Sequence, residues 1–200
     1  MIQYSKVPFH KPELGWKAWQ SYYLNLCENL LMVHSPRKST DDAQYCVMKA
    51  PFGCLGIETQ MVDGSLMISK IDYLRSSTPL IKPQNQLAKE AVNQFNAYFQ
   101  NPHYQFDLPL KPAGTVHQSK VWKRVLDITA GQTTTYGEIA QNIKSGARAV
   151  GTACGANPYP LVTPCHRVVS AQGLGGFMKE DAPGFYRQIK IWLLKHEGVL

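Results

Sequence analysis

The hydrophobic period of this chain changes once along its length, and that change limits the folds open to it. Between residues 44 and 74 lie three short β-rich runs, AQYCVMKAPFG, CLGIETQM and SLMISKIDYL, separated by PFG and by VDGS. Asp63-Gly64 suits a tight hairpin turn, so these runs are expected to form a small antiparallel meander. NQLAKEAVNQFNAYF then places Leu87, Ala91, Phe95 and Phe99 on one side of a helix that packs on that sheet. The Pro-rich strip FDLPLKPAG closes this part, and beyond it the pattern is helical.

The helical part is well punctuated. Thr115 and Gln118 form a capping box ahead of Val121, Trp122, Val125 and Leu126, and Thr135 and Glu138 form a second ahead of Ile139, Ala140 and Ile143. After the turn KSG, ARAVGTACGANP reads as a third helix that Asn157-Pro158 must stop. Two short helices about a Gly-containing turn fit a helix-turn-helix. PGFYRQIKIWLLKHEG aligns Phe185, Ile189, Trp192, Leu193 and His196 and closes at Gly198. Near the start, Trp16, Trp19, Tyr23, Leu26, Leu30 and Val33 form the stripe of a further amphipathic helix over residues 13–33. The expected organisation is a helical extension and linker over 1–43, an α+β domain over 44–112 and a mostly helical domain with the helix-turn-helix over 113–200.

Composition narrows the function classes. No apolar run approaches the ~20 residues of a membrane span, and the first residues lack a secretory pattern, so a soluble cytoplasmic protein is expected. A formal charge of +7 favours polyanionic partners. The 5 cysteines stand at 27, 46, 54, 154 and 165 with no C-x-x-C pair, which argues against a disulfide framework and common zinc spacings. Four read as small buried hydrophobes, and context singles out Cys165.

In LVTPCHRVVS, Pro164 restricts Thr163 to extended geometry, and His166 follows the thiol directly. A free thiol is only a few per cent thiolate at neutral pH, so a nucleophilic cysteine needs a base or a cation nearby. Successive side chains of an extended strand point to opposite faces, so contact between Cys165 and His166 requires a bridging water or a bend at Pro164. Glu197 stands in the last turn of a helix, where the macrodipole disfavours a carboxylate, and that placement suggests an imidazolium partner. Cys165, His166 and Glu197 together make a nucleophile, base and orienter set. Taken singly, Cys165 reads first as an inert core cysteine and Glu197 as a solvated terminal glutamate. The small side chains of ARAVGTACGA suit either close packing on a neighbour or a helix pressed into a DNA groove, with Arg148 inserted into the base stack.

PCHRVV with GANP upstream, TYGEIA, ARAVG and LLKHEG, in these relative positions, resembles the O6-alkylguanine-DNA alkyltransferases, also called methylated-DNA-protein-cysteine methyltransferases. The resemblance covers about residues 46–200. It implies a ribonuclease H-like N-terminal domain and direct repair of double-stranded DNA containing O6-alkylguanine. The lesion base is flipped out, and Cys165 takes the alkyl group irreversibly, once per molecule. The resemblance also implies that His166 is the water-linked base and Glu197 its partner. By the same likeness Asn157 braces the turn before the active-site loop, and Tyr136 assists the leaving guanine and rotates the adjacent phosphate. Arg148 is the finger, while Ala147, Ala149 and Gly151 form the close-contact surface in the minor groove. Pro164, Val168 and Phe177 line the substrate pocket, with the carbonyls of Cys165 and Val168 reading the guanine amino group. No cofactor, no metal and no membrane are expected, and the protein is expected to be a monomer. Arg167 is expected to be a structural salt-bridge residue. The loop GLGGFMKEDAPGFYR is longer than the family's usual form, His117 stands where a phenylalanine is common, and residues 1–43 have no counterpart. A non-catalytic lesion-binding relative, a helix-turn-helix regulator and a cysteine hydrolase are the competing readings. The first usually carries tryptophan at the position of Cys165.

Overall fold

A computed structural model describes residues 43–178 and 184–200. The amphipathic stripe at 13–33 and the middle of the 173–187 loop lie outside these residues. The three β-rich runs form β1 (Gln44–Ala50), β2 (Gly53–Val62) and β3 (Ser65–Leu74), an antiparallel sheet in the order β1-β2-β3. The β2–β3 turn has Asp63 at φ 48° and Gly64 at φ 81°, the two positive values that a right-twisted hairpin accepts. Register is kept by burial: Leu55 and Ile57 on β2 and Ile68 and Ile71 on β3 are sealed from solvent, and a one-residue slip would expose them.

Helix α1 (Gln86–Gln100) starts at Asn85, whose side chain accepts from Ala88 N at 2.8 Å. Its buried face is Ala88, Ala91, Gln94, Phe95 and Tyr98, so the stripe is rotated from the expected one. Leu87 and Phe99 lie at its partly buried flanks. The Pro-rich strip does more than close the first part. Ile68 N donates to Pro109 O and Lys111 N donates to Ile68 O, both at 2.8 Å, so the strip pairs with the edge of β3. Pro109 lacks only the N–H, and its carbonyl is the group the edge strand uses.

Both capping boxes form, at Thr115 for α2 (Val116–Leu126) and at Thr135 for α3 (Tyr136–Asn142). Leu126, expected inward, is only half-buried. Four residues separate α3 from α4 (Ala147–Gly155). Lys144 takes the left-handed conformation of this turn at φ 54°, while Gly146 is the extended cap of α4. His117, which has no evident meaning in the sequence, ties α2 to this turn through Nε2 and Ser145 Oγ at 2.9 Å. A short parallel pair, β4 (Thr134–Thr135) with β5 (Val168–Val169), anchors the start of α3 to the segment after Cys165. Two residues per strand carry no sequence period, so this pair is invisible to pattern reading. The last helix, α5 (Phe185–His196), ends with Gly198 N bonded to Lys195 O and Val199 N to Leu194 O, a Schellman closure that holds Glu197 at the cap.

The fold is mixed α+β with two buried clusters. One joins the sheet and α1 to Tyr159, Leu161, Val162, Phe177, Ile189 and Leu193, so it draws on both sides of residue 112. The other joins α2, α3 and α4 to Cys165 and Val168. The segment 157–169 runs along the seam between them.

Candidate active site

The segment carrying Cys165 is built from consecutive tight turns. Thr163 N bonds Tyr159 O at 2.8 Å around Leu161, a buried non-glycine residue at φ 72°, a strained conformation that surrounding packing must hold. Pro164 (φ −81°, ψ 62°) is the centre of an inverse γ-turn, with Cys165 N donating to Thr163 O at 2.8 Å. Cys165–Arg167 is then a single 3-10 turn. The extended strand considered for Cys165 and His166 is therefore replaced by a bend. The steric limit that a proline ring sets on the chain is satisfied by folding back rather than by pairing.

Asn157 pins this geometry. Its Nδ2 donates to Thr163 O at 2.8 Å and lies 3.3 Å from Cys165 Sγ, while its Oδ1 accepts from Tyr159 N at 2.9 Å. All of its polar atoms are used, and the side chain is buried. The Cys165 thiol is 5% exposed. Contact with the Cys154 thiol of α4, and then burial, push it well above the ordinary cysteine value, against the opposing effects of the Asn157 amide and the Lys190 ammonium. The proton therefore rests on sulfur in the free protein.

His166 and Glu197 meet at 2.9 Å, Nε2 to Oε1, with both side chains almost completely buried. Arg167 supplies a second partner, with Nε 2.9 Å from Oε2 and a terminal nitrogen 2.8 Å from Oε1. Tyr98 Oη, reaching from α1, donates to Oε1 at 2.8 Å. Burial alone would raise the Glu197 pKa, but the His166 and Arg167 hydrogen bonds and charges hold it well below the usual carboxylate range. An ionised Glu197 only accepts, so His166 carries its proton on Nε2 and presents a bare lone pair at Nδ1. Burial keeps the imidazole pKa below its ordinary value, against the pull of Glu197. His166 Nδ1 is buried and has no hydrogen-bond partner among the described residues, so it makes no direct bond to Cys165.

Above this triad, Lys190 of α5 is wholly buried. Its Nζ donates to Val168 O at 2.7 Å, Leu174 O at 2.6 Å and Gly176 O at 3.2 Å. It also lies over the rings of Tyr136 and Phe177 at 5.9 and 5.8 Å. Desolvation lowers its pKa to about 8. Tyr136 Oη donates to the same Gly176 O at 3.0 Å. The Val168 and Cys165 carbonyls, expected to face a base, each already accept an internal bond, from Lys190 Nζ and from Val168 N. One lone pair on each remains for another donor.

Residues 116–199 match the family model described as the 6-O-methylguanine DNA methyltransferase, DNA binding domain. A methylated-DNA–protein-cysteine methyltransferase of Mycobacterium leprae is 36% identical over 144 residues, covering 71% of this chain and 81% of that protein. The chain belongs to the methylated-DNA–protein-cysteine methyltransferase family. Another relative, the probable methylated-DNA–protein-cysteine methyltransferase of Acanthamoeba polyphaga mimivirus, is 37% identical and 85% covered. Among solved structures, the O6-methylguanine methyltransferase of Mycobacterium tuberculosis superposes with a TM-score of 0.63 at 34% identity, over 78% of this chain and 92% of that one. The crystal structure of Mycobacterium tuberculosis OGT in complex with DNA gives 0.61 at the same identity.

Within this methyltransferase-family chain, the structure brings together Cys165, His166, Glu197, Asn157 and Pro164, and links Val168, Phe177 and Tyr136 to them through Lys190. Ala147, Arg148 and Ala149 are exposed and Gly151 is half-buried, on a helix whose inner side is Val150, Ala153 and Cys154. α4 thus has one side on Cys165 and the other open. Sequence reading missed Lys190, Tyr98 and Cys154. Lys190 sits between Ile189 and Leu193 on the apolar stripe of α5, and a lysine inside such a stripe is the signal that was there to be used.

Proposed function

We propose that this chain removes alkyl groups from O6-alkylguanine in double-stranded DNA by one irreversible transfer to Cys165. The observation that carries this reading is the His166–Glu197 bond, which leaves the imidazole bare at Nδ1 next to a buried thiol. A base in that state takes the Cys165 proton through a bridging water, and Glu197 stabilises the imidazolium that results. The sulfur–carbon bond forms as the carbon–oxygen bond breaks, and the departing guanine takes up one proton, with Tyr136 assisting at the pocket edge, while the His166 imidazolium releases the equivalent proton and returns to neutral. The displacement needs alignment, which the turn geometry and Asn157 favour, and a proton path, which His166 offers through that water.

A buried thiol cannot reach a base within a duplex, so the lesion is flipped into the pocket under Lys190, Phe177 and Val168. In this reading α3 and α4 act as a helix-turn-helix, with Arg148 filling the vacated stack and Ala147, Ala149 and Gly151 against the minor groove. Support comes from Gly151: a Cβ there would meet only the Tyr136 ring, at 3.9 Å, so nothing inside the protein requires this helix-weakening glycine. The sheet with α1 is the ribonuclease H-like unit, and residues 44–112 and 113–200 are the two domains, acting as a monomer in the cytoplasm. Within the described residues no helix is long and apolar enough to cross a membrane.

The test is intact mass after incubation with duplex DNA holding O6-methylguanine. One methyl group per chain, lost in Cys165→Ala, is expected. Lesion loss without a gain in protein mass overturns the reading.

A further inference from the structure

Among the described residues, two buried polar side-chain atoms lack a hydrogen-bond partner: His166 Nδ1 and Tyr73 Oη. Native interiors rarely leave such groups unpaired, because each costs its desolvation without return. Two orphans near one reactive thiol call for a common explanation.

Tyr73 is on β3, far from Cys165 in sequence, yet its surroundings place it against the site. Two residues earlier, Ile71 N donates to Pro158 O at 2.9 Å, which clamps β3 onto the segment just after Asn157. Residues two apart on a strand share a face, so Tyr73 points to the same side as Ile71. Its ring is 5.8 Å from that of Phe177, and Phe52 closes the other side at 5.4 Å, edge-on. The phenol is 4% exposed. Burial first, and then the charges of Cys165 and Glu197, push its pKa well above the ordinary tyrosine value, so the hydroxyl stays protonated. The other charged or titratable groups around this site are His166, Arg167, Lys190, Cys154 and Tyr98, all described above.

Resting on the proposed alkyl transfer, the structure assigns Tyr73 as a positioning residue of the site: its hydroxyl and His166 Nδ1 together hold the water that carries the Cys165 proton. The stoichiometry is complete within the protein and that water. Its oxygen accepts from Tyr73 Oη–H and from Cys165 Sγ–H and donates one hydrogen to His166 Nδ1, about the three partners usual for a buried water. On activation the water passes its hydrogen to Nδ1 and takes the thiol proton, leaving thiolate and imidazolium and regenerating the water. Tyr73 keeps its proton throughout. Its role is to fix the oxygen where one lone pair faces the thiol.

The test is Tyr73→Phe in the full chain, which keeps the ring between Phe52 and Phe177 and removes one oxygen. The rate of alkylation by free O6-benzylguanine should fall about tenfold, the scale of one lost hydrogen bond, and its pH profile should move to the alkaline side. Melting temperature should change little, because the ring packing between Phe52 and Phe177 is kept. An unchanged rate and pH profile, with the wild type still alkylated, overturns the Tyr73 role alone. A wild type that gains no alkyl group overturns the reading beneath it. A crystal structure of the wild type supplies the second measurement: an ordered water bonded to both Tyr73 Oη and His166 Nδ1 is expected, and a dry site overturns the assignment.

Discussion

The imidazole of His166 donates through Nε2 to Glu197 Oε1 at 2.9 Å, and that single bond decides which ring nitrogen is free to act as a base. Glu197→Gln keeps the shape and loses the charge. The neutral amide no longer stabilises an imidazolium, so transfer to Cys165 should slow by about a hundredfold or more. It also leaves Arg167 without its counter-charge, at a cost of about 3 kcal/mol. Single-turnover kinetics and thermal melting of the variant read the two effects separately.

Stability should depend on pH through the same pair. The folded pKa of His166 lies below its unfolded value of about 6.5, so the unfolded chain binds the extra proton first and stability declines as pH falls below that point. The depressed Glu197 carboxyl adds a second loss as pH falls below about 4.3. Both contributions are fully present above their unfolded values. Melting temperature measured from pH 8 downward should show the His166 decline in the wild type and a flatter course over the same interval in His166→Gln.

Lys190 donates to three carbonyls that shape the pocket, and its charge opposes the rise of the Cys165 pKa. Lys190→Met should slow reaction with O6-benzylguanine about tenfold at neutral pH, an ordinary loss for a charged donor. In the wild type the ammonium discharges near pH 8, so the rate should climb less steeply beyond it. The variant, already lacking that cation, should show no such break in a stopped-flow pH series.

Gly151→Ala separates folding from DNA contact. The methyl group meets only ordinary contact with Tyr136, and replacing a helical glycine should raise the melting temperature by about 2–4 °C. Repair of a lesion in duplex DNA should nevertheless slow, while reaction with the free benzylated base stays at the wild-type rate. Arg148→Ala should give the same split without the gain in stability. Equal slowing on both substrates would remove these residues from the DNA surface.

Much of this was legible because the decisive signals are local. The capping boxes at Thr115 and Thr135 and the Asp63-Gly64 turn are statements about neighbouring backbone, and each forms as read. The pairing of His166 with Glu197 was legible as well, since a carboxylate at a helix C-terminus asks for a cationic or hydrogen-bonding partner. Tertiary features were hidden for physical reasons. The left-handed Lys144 and Leu161 are imposed by packing against the usual preference of those residues, and β4–β5 is too short to carry a period. Tyr98 and Tyr73 reach the site across separations that no spacing rule covers. Lys190 stood visibly on an apolar stripe, but long aliphatic stems there normally end in solvent, and only the fold shows three carbonyls receiving the ammonium instead.

The cluster that runs from the sheet and α1 into Tyr159, Phe177, Ile189 and Leu193 also governs how the molecule comes apart. Neither half can shed the other without baring a large greasy surface, so heating should produce one cooperative collapse rather than sequential melting. A protease cut between residues 101 and 113 should yield two fragments that stay clasped until denaturant parts them.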